Sequence, residues 1–247
     1  MFRLILDEAR PASLNMAVDE LLMRRATQSG VPILRFYRWS APCVTVGYFE
    51  EVAKVSRRFG RFPVVRRITG GGAVLHGEDL TFSLVMPLPV RQAGVPAPHF
   101  ANDVKSSYLK INEAVRVGLR TEYPKMDYAD CRTVPSQTSK QKERVCFDAP
   151  SCYDLLSAGK KVLGGSQRRT NGVLLHQSTM FLSRPTELLM QRVREGFEQV
   201  WKISFEEAPL TQEELTEAAE GERVMKKDAS RVYFPEVGSR REAIFLS

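Results

Sequence analysis

The sequence has little of what marks a membrane, secreted or zinc-binding protein. No stretch approaches the roughly 20 apolar residues that span a bilayer, and the first residues hold no apolar run of the kind that a signal peptide needs. The three histidines lie far apart, and no CxxC pair occurs among the four cysteines, which are Cys43, Cys131, Cys146 and Cys152. These absences predict a cytoplasmic protein with free thiols, no metal site and no membrane partner.

The charge balance is basic, but the basic residues are scattered. Lys and Arg number 36 against 29 Asp and Glu, so the formal net charge is +7. There is no zinc-finger spacing, aromatic RNA-binding pattern or long Lys/Arg block, which argues against a nucleic-acid partner. The charge therefore indicates either a solvated basic surface or acidic protein partners.

Periodicity predicts strands in quick succession with helices at both ends. Ser13 is a predicted helix N-cap, because the apolar residues from Leu14 to Leu22 then recur at helical spacing. Further helices are predicted at 50–59, 101–123, 187–201 and 212–226. Strands are predicted at 33–38, 43–47, 64–67, 73–76, 80–86, 153–156, 161–163 and 173–182, the last buried on both faces. Residues 87–98 and 135–142 are predicted loops, the second one mobile.

This order of elements predicts an α+β fold, with a twisted, mainly antiparallel or mixed sheet flanked by helices. The length of 247 residues can bury a large core without disulfides or metals. We interpret 1–247 as a single domain, with a core of about 3–200 and a C-terminal helical extension of about 205–247.

The first segment that could carry chemistry is a glycine-rich stretch, RRITGGGAVLH, at 66–76. Gly70, Gly71 and Gly72 lie between two predicted strands, where glycine allows unusual backbone angles or a close approach to a ligand. Exposed N–H groups there could bind a carboxylate, a phosphate or a thioester carbonyl. The alternative is a β-bulge or a tight hairpin. The pattern is neither GxGxxG nor a Walker loop.

The second segment, CFDAPSCYDL at 146–155, contains two cysteines. A cysteine is most often a small buried hydrophobe. Cys146, however, follows a loop that holds Lys140, Lys142 and Arg144, and nearby cations favour the reactive thiolate. The residues alone do not decide between Cys146 and Cys152 as a nucleophile.

The third segment, GKKVLGGSQRR at 159–169, brings a lysine into an apolar strand. Burial of its ammonium group is costly unless a carbonyl, phosphate or carboxylate compensates. The alternatives are a lysine that snorkels to water and a simple ion pair with Asp148 or Asp154. His76 and His176 are each more often structural than catalytic.

These three segments, in this order, resemble the lipoate–protein ligase and octanoyltransferase family, which is related to the biotin protein ligases. LNMAVDELLM, RFYRW and VGYF match it as well, so the resemblance covers about residues 3 to 200. It implies a biotin/lipoate ligase-like catalytic domain. CFDAPSCYDLL is similar to the cysteine-dependent octanoyltransferases, which implies Cys146, not Cys152, as the nucleophile and Lys161 as its catalytic partner. The implied substrate-binding residues are Arg67, Gly70, Gly71, Gly72, His76, Gly164 and Ser166.

The resemblance implies a two-step acyl transfer without cofactor or metal. An octanoyl or lipoyl group would pass from acyl carrier protein to Cys146, and then to a lysine of a lipoyl-domain or glycine-cleavage H-type protein. One alternative is an ATP-dependent lipoate ligase that uses ATP and Mg²⁺. The other is a lipoyl-protein binding module without catalysis.

Four positions depart from patterns of the family. Tyr153-Asp154 replaces the Asn-Asp pair that is usual in the ATP-using ligases, which favours the transferase. Gly77 replaces an acidic residue after the histidine, and Gly72 stands where many of the cysteine enzymes carry arginine. His176-Gln177 reverses an expected Gln-His order. The last three leave room for a different donor or for ligase activity.

Overall fold

The computed structural model describes residues 1–88, 103–132 and 150–235. Its helices are α1 (Ala12–Ser29), α2 (Val52–Phe59), α3 (Val104–Gly118), α4 (Thr186–Trp201) and α5 (Gln212–Lys227). Its strands are β1 (Phe2–Arg10), β2 (Ile33–Trp39), β3 (Cys43–Val46), β4 (Val64–Arg66), β5 (Val74–His76), β6 (Leu80–Pro87), β7 (Asp127–Tyr128), β8 (Leu155–Ser157), β9 (Lys160–Thr170), β10 (Val173–Met180), β11 (Phe205–Glu207) and β12 (Val232–Tyr233). None of these helices is long and apolar enough to cross a membrane.

Two sheets organise the described residues. The larger has eight strands in the order β11-β1-β2-β6-β10-β9-β8-β7, and the smaller has four in the order β12-β4-β3-β5. Strand β1 pairs in parallel with β2 and β11, and β3 pairs in parallel with β4, whereas the other pairs are antiparallel. The prediction of an α+β fold with a mixed sheet is confirmed.

Both faces of the larger sheet are covered, which explains why its central strand β10 is buried along its whole length. One apolar cluster contains Phe82, Leu163 and Leu174 of the sheet together with Ile111 of α3 and Phe197 of α4. A second cluster packs α1 and α5 against the opposite face. The predicted burial of this strand on both faces is confirmed.

Some boundaries differ from the prediction. Helix α1 begins at Ala12 after Pro11, so Ser13 is not the N-cap and instead donates to the carboxylate of Glu222. Strand β1 was not predicted. The described part of the chain beyond residue 204 adds β11 and β12 to the two sheets, besides α5. The predicted loop at 135–142, and 89–98 of the loop at 87–98, lie outside the described residues, as does 236–247.

A disulfide corrects the expectation of free thiols. Cys131 and Cys152 are bonded, with a Cα–Cα distance of 4.7 Å across a sequence separation of 21. They come together because β7 pairs antiparallel with β8, so the chain just after β7 meets the chain just before β8. That pairing is invisible in the cysteine spacing. Cys43 is a free thiol, as predicted, and it is buried.

Candidate functional site

The glycine-rich loop between β4 and β5 is held in shape by a buried arginine. Arg67 donates from Nη2 to the carbonyl oxygens of Gly70 (2.7 Å) and Gly72 (2.8 Å). Gly71 has a φ of +86°, in the left-handed region that favours glycine. A Cβ at Gly47, directly after β3, would lie 1.9 Å from the Gly71 carbonyl oxygen. The loop is therefore closely seated on the end of β3, and Arg67 braces it.

A cleft lies beside this loop, with about 380 Å³ of space that is partly open to solvent. Its lining combines apolar side chains, among them Met16 and Val74, with hydrogen-bonding groups. Four of the predicted substrate-binding residues are among those that line it: Arg67, His76, Gly164 and Ser166. Gly70, Gly71 and Gly72 are not among the described lining residues, but Arg67, which lines the cleft, hydrogen-bonds to Gly70 and Gly72.

His76 forms one wall of the cleft and is oriented from several sides. Its Nδ1 is 2.9 Å from Asp79 Oδ2, and its Nε2 is 2.8 Å from Thr45 Oγ1. Trp39 stacks on the imidazole, with ring centroids 4.0 Å apart, and donates to Asp79. Burial opposes ionisation of Asp79, but His76 and the backbone N–H of Gly77 hold its pKa below the ordinary value. A carboxylate only accepts, so Nδ1 of His76 carries a hydrogen.

Gly77 stands where the family often has an acidic residue, but His76 still has a carboxylate partner. Asp79, three residues after His76, supplies it instead of the residue immediately following. Gly77 contributes its backbone N–H, which donates to the other oxygen of Asp79 at 2.8 Å.

A chain of buried hydrogen bonds connects the cleft to helix α1. Ser166 donates to the hydroxyl of Thr69 (2.8 Å), and Thr69 donates to the side-chain carbonyl of Gln177 (2.6 Å). The amide nitrogen of Gln177 then donates to Asp19 (2.7 Å). Asp19 accepts further hydrogen bonds from Arg35, Tyr37 and Ser83. The network fixes Ser166 and the start of the glycine-rich loop relative to each other.

His176 and Gln177, whose order is reversed relative to the family pattern, lie on opposite faces of β10 because side chains alternate along a strand. Gln177 lines the cleft, while His176 is buried on the opposite face beside Phe82 and Tyr108. Burial lowers the pKa of His176 to about 3, so it is neutral at physiological pH. It hydrogen-bonds to Gln167. His176 is thus structural, and the polar residue that β10 presents to the cleft at this point is glutamine.

Lys161 is buried in an ion pair and does not snorkel to water. Its Nζ lies 2.7 Å from Asp154 Oδ2, and the two side chains are 2% and 5% exposed. Burial raises the pKa of Asp154, and the charge of Lys161 opposes that rise. Ser151 also donates its backbone N–H to this carboxylate, at 2.6 Å. Lys161 is not among the described residues that line the cleft, but it lies three residues before Gly164 on β9.

Cys146 lies outside the described residues, together with Lys140, Lys142 and Arg144, so its role stays a prediction. The described chain ends at Arg132 and resumes at Pro150, and the Cys131–Cys152 disulfide links positions beside those two ends. Within the described ranges, no group of three or more His, Cys, Asp or Glu side chains is placed to hold a metal ion.

Several polar residues of the site were not predicted from the sequence. Thr45, Asp79 and Gln177 hydrogen-bond within the cleft region, and Asp19 on α1 accepts from Gln177. Thr45, Gln177 and Asp19 could have been identified as polar residues within buried, largely apolar segments, whereas Asp79 follows the exposed Glu78 and gives no such signal. Such residues are normally hydrogen-bonded to one another.

A family model and the most similar curated relatives point to the same protein family. The model of the lipoyl protein ligase A/B catalytic domain matches residues 11–208. Octanoyltransferase LipM of Oceanobacillus iheyensis is 30% identical over 222 residues, which cover 86% of this chain and 77% of that protein. Octanoyltransferase LipM of Moorella thermoacetica is 32% identical over 202 residues, covering 74% and 70%.

Solved structures share the fold. A lipoate–protein ligase A bound with ATP superposes with a TM-score of 0.70 at 24% identity, covering 92% of this chain and 96% of that one. A bi-partite lipoate protein ligase from Thermoplasma acidophilum gives 0.68 at 22% identity, covering 92% and 94%. The family model spans well over half of the sequence, and the relatives cover most of it. The chain therefore belongs to the lipoyl protein ligase A/B catalytic domain family.

Proposed function

We propose that this protein is an octanoyltransferase of protein lipoylation, which moves an octanoyl or lipoyl group to a lysine without ATP. The observation that carries the proposal is the similarity, along most of both chains, to proteins named octanoyltransferase LipM. The cleft is consistent with an acyl substrate. Met16 and Val74 offer apolar surface for the chain, and Arg67 places a positive charge beside the same cleft.

The proposed reaction has two steps. The Cys146 thiolate attacks the thioester carbonyl of the acyl carrier protein, a carbon–sulfur bond to Cys146 forms, and the bond to the carrier's sulfur breaks, so that the carrier leaves as its thiolate. An amine of the acceptor then attacks this acyl-enzyme, forming the amide and releasing Cys146. Covalent catalysis divides one difficult transfer into two easier ones.

Lys161 is the proposed partner of Cys146. Held in place by Asp154, its ammonium group stabilises the negative charge that develops on the acyl carbonyl oxygen. The braced loop of Gly70, Gly71 and Gly72 supplies backbone N–H groups close to the acyl group, and Gly164 leaves room for the acyl chain. His76 and Ser166 contact the substrate from the cleft walls.

An ATP-dependence assay tests the function directly. Purified protein receives octanoyl-carrier protein without ATP in one reaction, and free lipoate with ATP and Mg²⁺ in another. The mass of a lipoyl-domain acceptor is then measured. We expect acylation of the acceptor in the first reaction and none in the second. The opposite pattern would indicate a ligase, and no acylation in either would indicate a binding module.

The protein partners are proposed to dock beside the glycine-rich loop. Tyr48 and Phe49 directly follow Gly47, are 44% and 89% exposed, and pack edge to face with centroids 5.2 Å apart. Helix α2 then presents Lys54, Arg57 and Arg58 on the surface. Tyr48, Phe49, Lys54, Arg57 and Arg58 form an aromatic and basic patch, although Glu50 and Glu51 lie between the aromatic and basic residues. The patch suits an acidic carrier protein or lipoyl domain, whose reactive arm would enter the cleft.

Charge reversal on α2 should weaken this docking. Arg57→Glu/Arg58→Glu should raise KM for the protein substrates about tenfold. It should also remove most of the dependence of KM on salt, which arises in the wild-type protein because the Debye length falls from ~10 Å at 0.1 M to ~3 Å at 1 M ionic strength. The matched control is Arg223→Glu/Lys227→Glu on α5, which changes the net charge equally at exposed positions. Equal KM values for the two variants would assign the effect to net charge and not to the patch.

A further inference from the structure

Two strands of the smaller sheet and the loop after the second one bring a hydroxyl, an imidazole and a carboxylate into line. Thr45 lies on β3, His76 ends the adjacent β5, and Asp79 follows it. The distances are 2.8 Å from Thr45 Oγ1 to His76 Nε2 and 2.9 Å from His76 Nδ1 to Asp79 Oδ2. Thr45 and His76 both line the cleft. The alignment therefore starts at the cleft surface and ends at a buried carboxylate.

The hydrogen-bond directions along this line follow from the chemistry of its members. Asp79 can only accept, so the neutral imidazole of His76 carries its hydrogen on Nδ1 and accepts at Nε2. Arg67 donates from Nη1 to Thr45 Oγ1 at 3.1 Å, which leaves the hydroxyl hydrogen of Thr45 to point at Nε2. Thr45 is thus set to give a proton to His76 and to accept another from the cleft.

The charged groups along this line are of opposite sign at its two ends. The guanidinium of Arg67 lies beside Thr45 at the cleft, and the carboxylate of Asp79 lies beside His76 at the buried end. Trp39, Gly77 and Thr81 also donate to Asp79, so the carboxylate is rigidly held. The hydrogen-bonded line therefore runs from a cationic group at the cleft to an anionic group in the interior.

We propose that Thr45, His76 and Asp79 form a proton relay that deprotonates the acceptor lysine. The inference rests on the proposed function, whose second step needs a neutral amine, while a lysine side chain arrives as an ammonium ion. The ammonium gives one proton to Thr45 Oγ1 as Thr45 gives its own to His76 Nε2. The amine then attacks the acyl carbon, the carbon–sulfur bond to Cys146 breaks, and the surplus amide proton leaves on the sulfur. His76 finally returns its proton to water.

Hydroxylamine separates this relay from the rest of the reaction. It is already a neutral nucleophile at neutral pH, so it discharges an acyl-enzyme without the deprotonation step. Thr45→Val keeps the side-chain shape but removes the relay atom. We expect this variant still to form the acyl-enzyme and to be discharged by hydroxylamine, each with only a small loss in rate, because Thr45 also accepts from Arg67 in the cleft. Its transfer to a lipoyl-domain lysine should fall at least ~100-fold, the usual scale of general-base loss, and Thr45→Ser should restore it.

A second variant tests the direction of the relay. In Asp79→Asn the new amide can donate to Nδ1 of His76, which moves the imidazole hydrogen to Nε2 and blocks acceptance from Thr45. The same selective loss of lysine transfer is expected. Thr170→Val, at the exposed end of β9, is the control for the threonine substitution.

The outcomes distinguish the relay from the function on which it rests. If the wild-type protein never forms an acyl-enzyme, the proposed function fails. If it does, and both Thr45→Val and Asp79→Asn transfer to lysine at the wild-type rate, the relay is wrong and the function stands. Equal losses in donor acylation, hydroxylamine discharge and lysine transfer would also overturn the relay, because they would indicate a structural role.

Discussion

Lys161→Ala is expected to lower octanoyl transfer by at least ~100-fold, the scale of losing one donor to a developing oxyanion. The ion pair with Asp154 holds the ammonium group of Lys161 in one place along β9, so the loss is expected for Lys161 and not for a neighbouring lysine. Lys160, the preceding residue, is exposed, and Lys160→Ala should change the rate little. The measurement is the single-turnover rate of acceptor acylation. Equal losses in the two variants would remove Lys161 from the mechanism.

The same substitution leaves a buried carboxylate without its cation, so stability must be measured beside activity. Breaking a buried ion pair typically costs about 3–5 kcal/mol of unfolding free energy. Lys161→Met/Asp154→Leu removes both charges and should recover most of that loss in a denaturant titration. It should not recover transfer. If activity returned together with stability, the lysine would be structural and not catalytic.

Cys146→Ser is expected to fold normally and to lose transfer by about 1,000-fold or more, because a serine hydroxyl needs stronger base activation than a thiol. The other cysteines are poorer candidates. Cys131 and Cys152 are bonded to each other. Cys43 is buried, and burial raises the pKa of its thiol. The measurement is acceptor acylation by octanoyl-carrier protein.

The matched control is Cys131→Ser/Cys152→Ser, which removes the disulfide and leaves Cys146 in place. It should retain most of the transfer, although its stability will fall, by about 3 kcal/mol on the chain-entropy account for a loop of this length. A normally active Cys146→Ser, with activity instead lost in this control, would move the nucleophile to the other pair.

The spacing of apolar residues along the sequence predicted the helices and strands that are formed by short, contiguous segments. Helix α1 follows from apolar spacing, and the burial of the central β10 on both faces follows from its weak alternation of apolar and polar residues. Strand β1 was missed because FRLILDEAR mixes apolar and charged residues. Its parallel partners β2 and β11 also lie 30 and 200 residues or so along the chain, where no local pattern reports them. The disulfide depends on the pairing of β7 with β8 in the same way.

The site was predictable to the extent that it lies in motifs. The glycine-rich and lysine motifs identified Arg67, His76, Gly164 and Ser166, which the fold brings to one cleft. The partners of these residues could not be found in this way. Asp154 was one of two possible acids for the lysine, and only the structure places it at 2.7 Å. Thr45 becomes a neighbour of His76 only when β3 pairs with β5.

The formation of an acyl-enzyme on Cys146 can be measured by intact-protein mass spectrometry of the wild-type protein with octanoyl-carrier protein, without acceptor or ATP. We expect a gain of one octanoyl mass that maps to the peptide containing Cys146, is removed by hydroxylamine and is discharged by adding a lipoyl-domain acceptor. An unmodified protein that still acylates the acceptor, or one that acylates it only when lipoate and ATP are supplied, would show that Cys146 does not carry the acyl group.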